Sequence, residues 1–230
     1  MKKINHPEFQ LRVTNDSSPT LFSTRYLSDY HSKYGAVQES MHVFLEAGLQ
    51  FVFKNTQIDP LVIVEMGFGT GLNAMLSMVE AEKYQRSVQY YAIEKYPISK
   101  EVAAQLEYND HIPSDFAKKY LELHTSPWSQ LSPLTPHFQL FKWKGDLSEY
   151  QSPEKIDLIY FDAFGPSIQP ELWTTESLNA LIEHLNPGGV FVTYSAKGAV
   201  RRSLQSLELV VERLPGPPGK REMLRAQKPY

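Results

Sequence analysis

Residues 61–76 read LVIVEMGFGTGLNAML. A short apolar run ends in an acid, Glu65. Glycines follow at 67, 69 and 71, and an amphipathic run comes next. The pattern predicts a buried strand over 61–65, a tight turn, and a helix from Gly71 to Glu82. Glycines there let the backbone turn sharply and come close to a ligand with no Cβ in the way. The turn also lies beyond the carboxyl end of a strand, where open α/β sheets bind ligands. Two common phosphate motifs do not fit. A dinucleotide fingerprint needs a third glycine where Leu72 stands, and a P-loop needs a Gly-Lys-Ser/Thr run that is absent.

The same alternation extends in both directions. VQYYAIE (88–94), FQLFKW (138–143), IDLIYFD (156–162) and VFVTYS (190–195) read as further strands. A helix is expected from Pro97 toward Tyr108, and another from Thr175 to Leu185, capped by Asn186-Pro187-Gly188-Gly189. A long insertion carrying Pro113, Pro127, Pro133 and Pro136 has room for one more helix. After a short helix, strands near 208–214 and 222–226 are separated only by the Pro215–Gly219 turn and predict an antiparallel hairpin. Upstream, residues 10–35 are polar and turn-rich, with a loop at Asn15–Pro19. From Ala36 a helix places Val37, Met41, Phe44, Leu45, Leu49 and Val52 near one face. Strands alternating with helices imply an α/β fold, a mostly parallel sheet with helices on both faces. The expected division is an N-terminal extension (1–58) packed on a catalytic domain (59–230).

Acids recur where the strands end. Glu65 would repel a pyrophosphate but suits the cationic amino-acid end of S-adenosyl-L-methionine (SAM). Glu94 is placed to accept hydrogen bonds from ribose hydroxyls, as an acid about twenty residues beyond a glycine turn does. Its neighbour Lys95 points to solvent or covers the ribose edge. Asp146, after Gly145, can accept from an adenine amino group. Asn73 and Leu147, adjoining these turns, complete the expected cofactor contacts with Gly67, Gly69 and Gly71. Asp162 ends the fourth strand beside the transferable methyl group. An amine acceptor must be neutral to attack, and a carboxylate there can take its proton. Phe164, with Gly165 and Pro166, would shape a rigid loop against the acceptor. Tyr30, His31 and Glu39 would fold over the same site, with His31 a lesser candidate base.

The bulk numbers narrow the class. There are no cysteines, which excludes disulfides and thiolate metal sites and fits a cytoplasmic protein. No metal-ligand spacing and no second glycine fingerprint occur, so neither metal nor flavin is expected. MKKINHPEFQL has no apolar leader core, and no run is long enough to span a membrane. Net charge is −3 but uneven. Residues 195–230 hold eight Lys/Arg against three Glu, a surplus of five. The remainder holds 15 bases and 23 acids. Lys197, Arg201, Arg202, Lys220 and Arg221 therefore form a candidate face for an anionic partner.

YHSKYGAVQESMHVFLEAGL, VEMGFGTGLNA, AIEKYP, FDAFGPSIQPELWT, LNPGGVFVTYSAKGAVRRSL and PGPPGKREMLRA together resemble the methyltransferase half of the tRNA 5-methylaminomethyl-2-thiouridine biosynthesis (MnmC-like) family. The resemblance implies a class I, Rossmann-like SAM-dependent methyltransferase. Its acceptor would be the aminomethyl nitrogen of a tRNA wobble uridine, with cofactor contacts at Glu65–Gly71, Glu94 and Asp146 and Asp162 as acid/base. Two stretches depart from it. The usual Asp-Gly-Phe-Ala-Pro loop is here Asp162-Ala163-Phe164-Gly165-Pro166, and residues 207–209 lack an Ala-Gly-Phe run. The family's flavin-dependent oxidase half has no counterpart in these residues, so a separate enzyme is expected to supply the aminomethyl tRNA. A small-molecule methyl- or aminopropyl-transferase, or a non-catalytic RNA- or protein-binding module, are the alternatives. Intact Glu94 and Asp162 argue against the module.

Overall fold

The computed structural model describes residues 7–152 and 155–230. Residues 1–6, on which part of the leader reading falls, and residues 153 and 154 lie outside them. The turn-rich lead-in is a three-stranded antiparallel sheet, β1 (Phe9–Val13), β2 (Pro19–Ser23) and β3 (Ser28–Asp29). The expected loop at 15–19 is its first turn. Asp16 organises that turn, its Oδ1 accepting from Thr14 Oγ1 at 2.6 Å and from the Ser18 amide at 3.0 Å.

Residues 36–55 form a continuous helix whose middle, Met41–Gln50, is wound with π-type hydrogen bonds. It buries Phe44, Leu45, Leu49 and Val52 as the spacing predicts, and Glu39 with them. Each fully buried leucine stabilises the fold by roughly 1.5–3 kcal/mol. At Gly48 the helix lies directly on the sheet. A Cβ there would come within 3.1 Å of the Tyr160 ring and 3.2 Å of Val192.

The main sheet follows. Its strands are β4 (Leu61–Met66), β5 (Val88–Glu94), β6 (Ser132–Thr135), β7 (Phe138–Lys144), β8 (Ile156–Phe161), β9 (Leu185–Thr193), β10 (Val210–Pro215) and β11 (Glu222–Gln227). The order is β10-β11-β9-β8-β4-β5-β7-β6. The five central strands, β9 to β7, run parallel; β11 and β6 run antiparallel to their inner neighbours and β10 to β11. β4 and β8 are buried on both faces, which is why both read as unbroken apolar runs. Ile63, Leu158, Tyr160 and Val192 share one core with the 36–55 helix and the helices Leu72–Tyr84 and Ala117–Thr125. Val64, Ile159, Phe161 and Leu224 share the other with helices Thr175–Ile182 and Gly198–Ser206. The chain leaves β4 for β5 on one side and meets β8 on the other, so a crevice opens beyond the carboxyl ends of these strands.

Two expectations are corrected, and one strand was not foreseen. The helix from Pro97 shrinks to Lys100–Ala103, started by Ser99, whose Oγ accepts the Val102 amide at 3.3 Å. Asn186–Gly189 does not cap a helix. That helix ends at Ile182, and Asn186–Gly189 lies inside β9, with a register shift against β8. Finally, β6 lies inside the proline-rich insertion, paired with β7.

Candidate active site

The three glycines all have positive φ: 93° at Gly67, 50° at Gly69 and 74° at Gly71. Side chains rarely tolerate this region. Each also faces a tight neighbour. A Cβ on Gly67 would lie 2.7 Å from the Asp162 carbonyl oxygen, and one on Gly69 would lie 3.1 Å from the Tyr30 ring. One on Gly71 would lie 3.1 Å from both Phe68 and His124. The Asp162 amide donates to the Met66 carbonyl at 2.9 Å, so the ends of β4 and β8 are locked together. Behind the turn, the Thr70 carbonyl accepts from Tyr120 Oη (2.7 Å) and His124 Nε2 (3.0 Å). The fully buried Lys142 donates to the carbonyls of Leu123 and His124. Burial pushes His124 down to about 4 and Lys142 down to about 8. Sequence reasoning missed this brace, because Lys142 reads as a strand's solvent-side residue.

The crevice is a cavity of about 400 Å³. Glu94 lines it, its Oε2 accepting the Gly69 amide at 2.9 Å and its Oε1 the Tyr96 amide at 2.8 Å. Asp162 lines it beside Gly67. Glu65 lies beneath, with 0% exposure. Asn73 Nδ2 bridges the two acids, donating to Glu65 Oε1 at 2.9 Å and to Asp162 Oδ2 at 2.8 Å. Glu65 Oε2 is buried with no hydrogen-bond partner. Burial raises the pKa of Glu65, Glu94 and Asp162; like charge adds to this, from Asp162 on Glu65 and from Glu39 on Asp162.

The N-terminal segment closes the cavity, contributing Tyr26, Tyr30, His31 and Glu39. Phe164 meets Tyr26 with ring centroids 4.6 Å apart and Tyr30 at 5.1 Å. Gln169 pins the loop: its Oε1 accepts the Phe164 amide at 3.1 Å, and its Nε2 donates to Tyr26 Oη at 3.1 Å. His31 Nδ1 is 2.8 Å from Thr20 Oγ1, and burial lowers its pKa to about 4, so it is a poor proton acceptor at neutral pH. Sequence reading did not single out Tyr26, Gln169 or Tyr194. Tyr194 follows β9 at its carboxyl end, where the strand-end rule would have flagged it.

Other expected residues lie further out. Asp146 is ion-paired with Lys95, which reaches the cavity wall, and Leu147 is buried beside it. Of the tail's bases, Arg213 and Arg225 pair with Glu222 and Glu212, and Lys228 caps carbonyls of Ile182 and Leu185. Lys220 turns inward to the cavity. Lys197, Arg202 and Arg221 are exposed and Arg201 is half-buried, so the surface carries less positive charge than the tail's surplus of five suggested. Among the described residues, no helix is long and apolar enough to cross a membrane.

A glycine turn after the central strand and an acid ending the next strand, around one crevice of a mostly parallel sheet, are the architecture of class I SAM-dependent methyltransferases. The orphaned Glu65 oxygen and the surplus of buried carboxylate suit a ligand carrying an ammonium and a sulfonium. A profile of S-adenosyl-L-methionine-dependent methyltransferases matches residues 117–229. The chain is similar to the tRNA 5-methylaminomethyl-2-thiouridine biosynthesis bifunctional protein MnmC of Idiomarina loihiensis, 30% identical over 216 residues, covering 88% of this chain and 36% of that protein. It is 32% identical over 221 residues to the MnmC of Leptospira borgpetersenii serovar Hardjo-bovis, covering 91% and 33%. The chain thus spans about a third of the length of these curated relatives. The crystal structure of MNMC2 from Aquifex aeolicus superposes with a TM-score of 0.79 at 24% identity, covering 99% of this chain and 74% of that one.

Proposed function

We propose that this chain methylates the primary amine of 5-aminomethyluridine, or its 2-thio form, at the wobble position of tRNA. The observation that carries this reading is the charge of the cavity. Glu94 and Asp162 line it and Glu65 lies beneath, while Lys95 and Lys220 of its wall are paired with Asp146 and Glu39, a setting that favours cationic ligands. Relatives named for tRNA methylaminomethyl-thiouridine biosynthesis support the choice of acceptor.

When bound, SAM supplies an electrophilic methyl group. Glu94 would hold its ribose hydroxyls, and Glu65 with Asn73 its ammonium end. Asp146, Leu147 and Lys95 would frame the adenine. Asp162 takes a proton from the acceptor's ammonium, which frees the nitrogen lone pair. A carboxyl with its pKa raised by burial and by Glu39 is a stronger proton acceptor than an ordinary one. Tyr26, Tyr30 and Phe164 offer ring faces on which an everted pyrimidine can stack. Lys197, Arg201, Arg202 and Arg221 would contact phosphates.

A second reading is methylation of a small free amine. It is favoured by the covering of the cavity by the N-terminal segment. Mass spectrometry of tRNA nucleosides from cells with and without the protein separates the two. Loss of methylaminomethyl nucleosides with accumulation of the aminomethyl form is expected. Unchanged nucleosides, with small amines methylated by the purified protein, would favour the second reading.

A further inference from the structure

Glu39 sits on the 36–55 helix with 7% exposure, yet it faces the cavity. Its Oε2 accepts the Ser32 amide at 2.9 Å and its Oε1 pairs with Lys220 Nζ at 2.5 Å. The same ammonium stands 3.8 Å from the centroid of the Tyr194 ring. Tyr194 is itself fixed, its hydroxyl donating to the carbonyl of Ala163, next to Asp162, at 2.7 Å. One carboxylate and one aromatic face therefore hold this ammonium in the cavity that Asp162 also lines, a favourable setting for a cation. Lys220 arrives there from the turn between β10 and β11, 181 residues away in sequence. That turn is seated on the N-terminal segment at Gly219, where a Cβ would enter the Tyr34 ring, and the Pro215 carbonyl meets His42 Nε2 at 2.8 Å.

We infer that Lys220 is a built-in stand-in for the acceptor's ammonium, filling the place between Glu39 and Tyr194, in the cavity that Asp162 lines, until a cationic acceptor displaces it. This rests on the reading of an amine acceptor. The two partners differ in their freedom. The Lys220 side chain is 32% exposed and can turn to water, whereas that of Glu39 is 9% exposed and cannot. An unpaired buried carboxylate is costly, so the site keeps a cation in both states. A neutral group of similar size cannot make the exchange, because it would leave Glu39 unpaired. Glu39 thus sets selectivity for charged over neutral acceptors, and Lys220 holds the acceptor's place while the site is free.

The test is calorimetric titration of 5-aminomethyluridine and neutral 5-hydroxymethyluridine, with S-adenosylhomocysteine present, into wild type, Lys220→Met and Lys220→Arg. Methionine keeps an apolar stem over Tyr194 but removes the competing charge. It should tighten aminomethyluridine roughly threefold to tenfold, the worth of one partly exposed ion pair, and hydroxymethyluridine by a similar factor, because neither then has to break the Glu39–Lys220 pair. Arginine forks onto Glu39 more firmly than lysine and should weaken both. Weaker or unchanged aminomethyluridine binding in Lys220→Met overturns the inference. If Lys220→Met does not fold, unchanged aminomethyluridine affinity in Lys220→Arg overturns it. Wild type that methylates aminomethyl tRNA while either variant gives a contrary result discards the stand-in alone. Wild type that neither binds nor methylates the amine discards the amine reading and the inference together.

Discussion

At the scale of single residues the site turns on Asp162 and Glu94. Asp162→Asn keeps the size of the side chain and the contact with Asn73 but cannot take a proton. It should retain SAM binding and lose roughly 100- to 10,000-fold in kcat, the usual worth of general-base help. The loss should shrink as pH rises and the amine deprotonates unaided. Wild-type turnover at neutral pH would leave Asp162 a structural role. Glu94→Ala removes charge-assisted hydrogen bonds worth roughly 1.5–3 kcal/mol, so SAM affinity should fall about 10- to 200-fold; unchanged calorimetric affinity would remove Glu94 from the ribose site. Both acids were legible because they end strands, where the fold itself says ligands bind. The Glu39–Lys220 pair was not. Glu39 reads as a residue folded over the site and Lys220 as part of a basic face, and only the tertiary fold joins a helix near the start to a hairpin near the end.

At the scale of elements, the glycine turn and the Asp162 loop are one packed unit. Gly67→Ala meets both a φ of 93° and a carbonyl oxygen 2.7 Å away. Strain of this kind costs about 1–3 kcal/mol. Denaturant titration should show that loss, and methyl transfer should fall with it as Asp162 shifts; a variant as stable and active as wild type would show that the two loops do not need this contact. The helix Gly198–Ser206 carries Arg201 and Arg202. Replacing both by Ala should flatten the log–log salt dependence of tRNA binding by about one to two units, at roughly 0.7–0.9 per phosphate contact. An unchanged slope with weaker binding would make them packing residues. Strands β4 and β8 were readable because burial on both faces leaves unbroken apolar runs. The three strands at the start and β6 were not, since they are short. The helix ends moved because side-chain caps and sheet pairing, not apolar spacing, set them.

At the scale of the whole molecule, the cavity and its floor gather the carboxyls of Glu65, Glu94 and Asp162, whose charge a cationic ligand would relieve. The sign of the resulting pH dependence follows from the raised pKa values of Glu65, Glu94 and Asp162. The folded free protein binds these protons more tightly than the unfolded chain. The stability they contribute is therefore present at low pH and is lost as pH rises through the raised folded values. Glu65→Gln should melt no lower than wild type, with its advantage growing as pH rises, by roughly 2–4 °C for each kcal/mol relieved. The same change should weaken SAM. A variant that melts lower at high pH would show that ionised Glu65 stabilises the fold.

The most direct test of the cavity as an amine-methylating site offers the purified chain two tRNAs with methyl-labelled SAM. One carries 5-aminomethyluridine and the other 5-carboxymethylaminomethyluridine. The second adds a carboxylate to the nitrogen, which would be driven against Asp162 and Glu39. Label should enter the aminomethyl tRNA, reside in methylaminomethyl nucleoside after digestion, and stay out of the carboxymethylaminomethyl tRNA. Efficient labelling of the carboxymethylaminomethyl tRNA, or none of the aminomethyl tRNA while free amines are methylated, would contradict it.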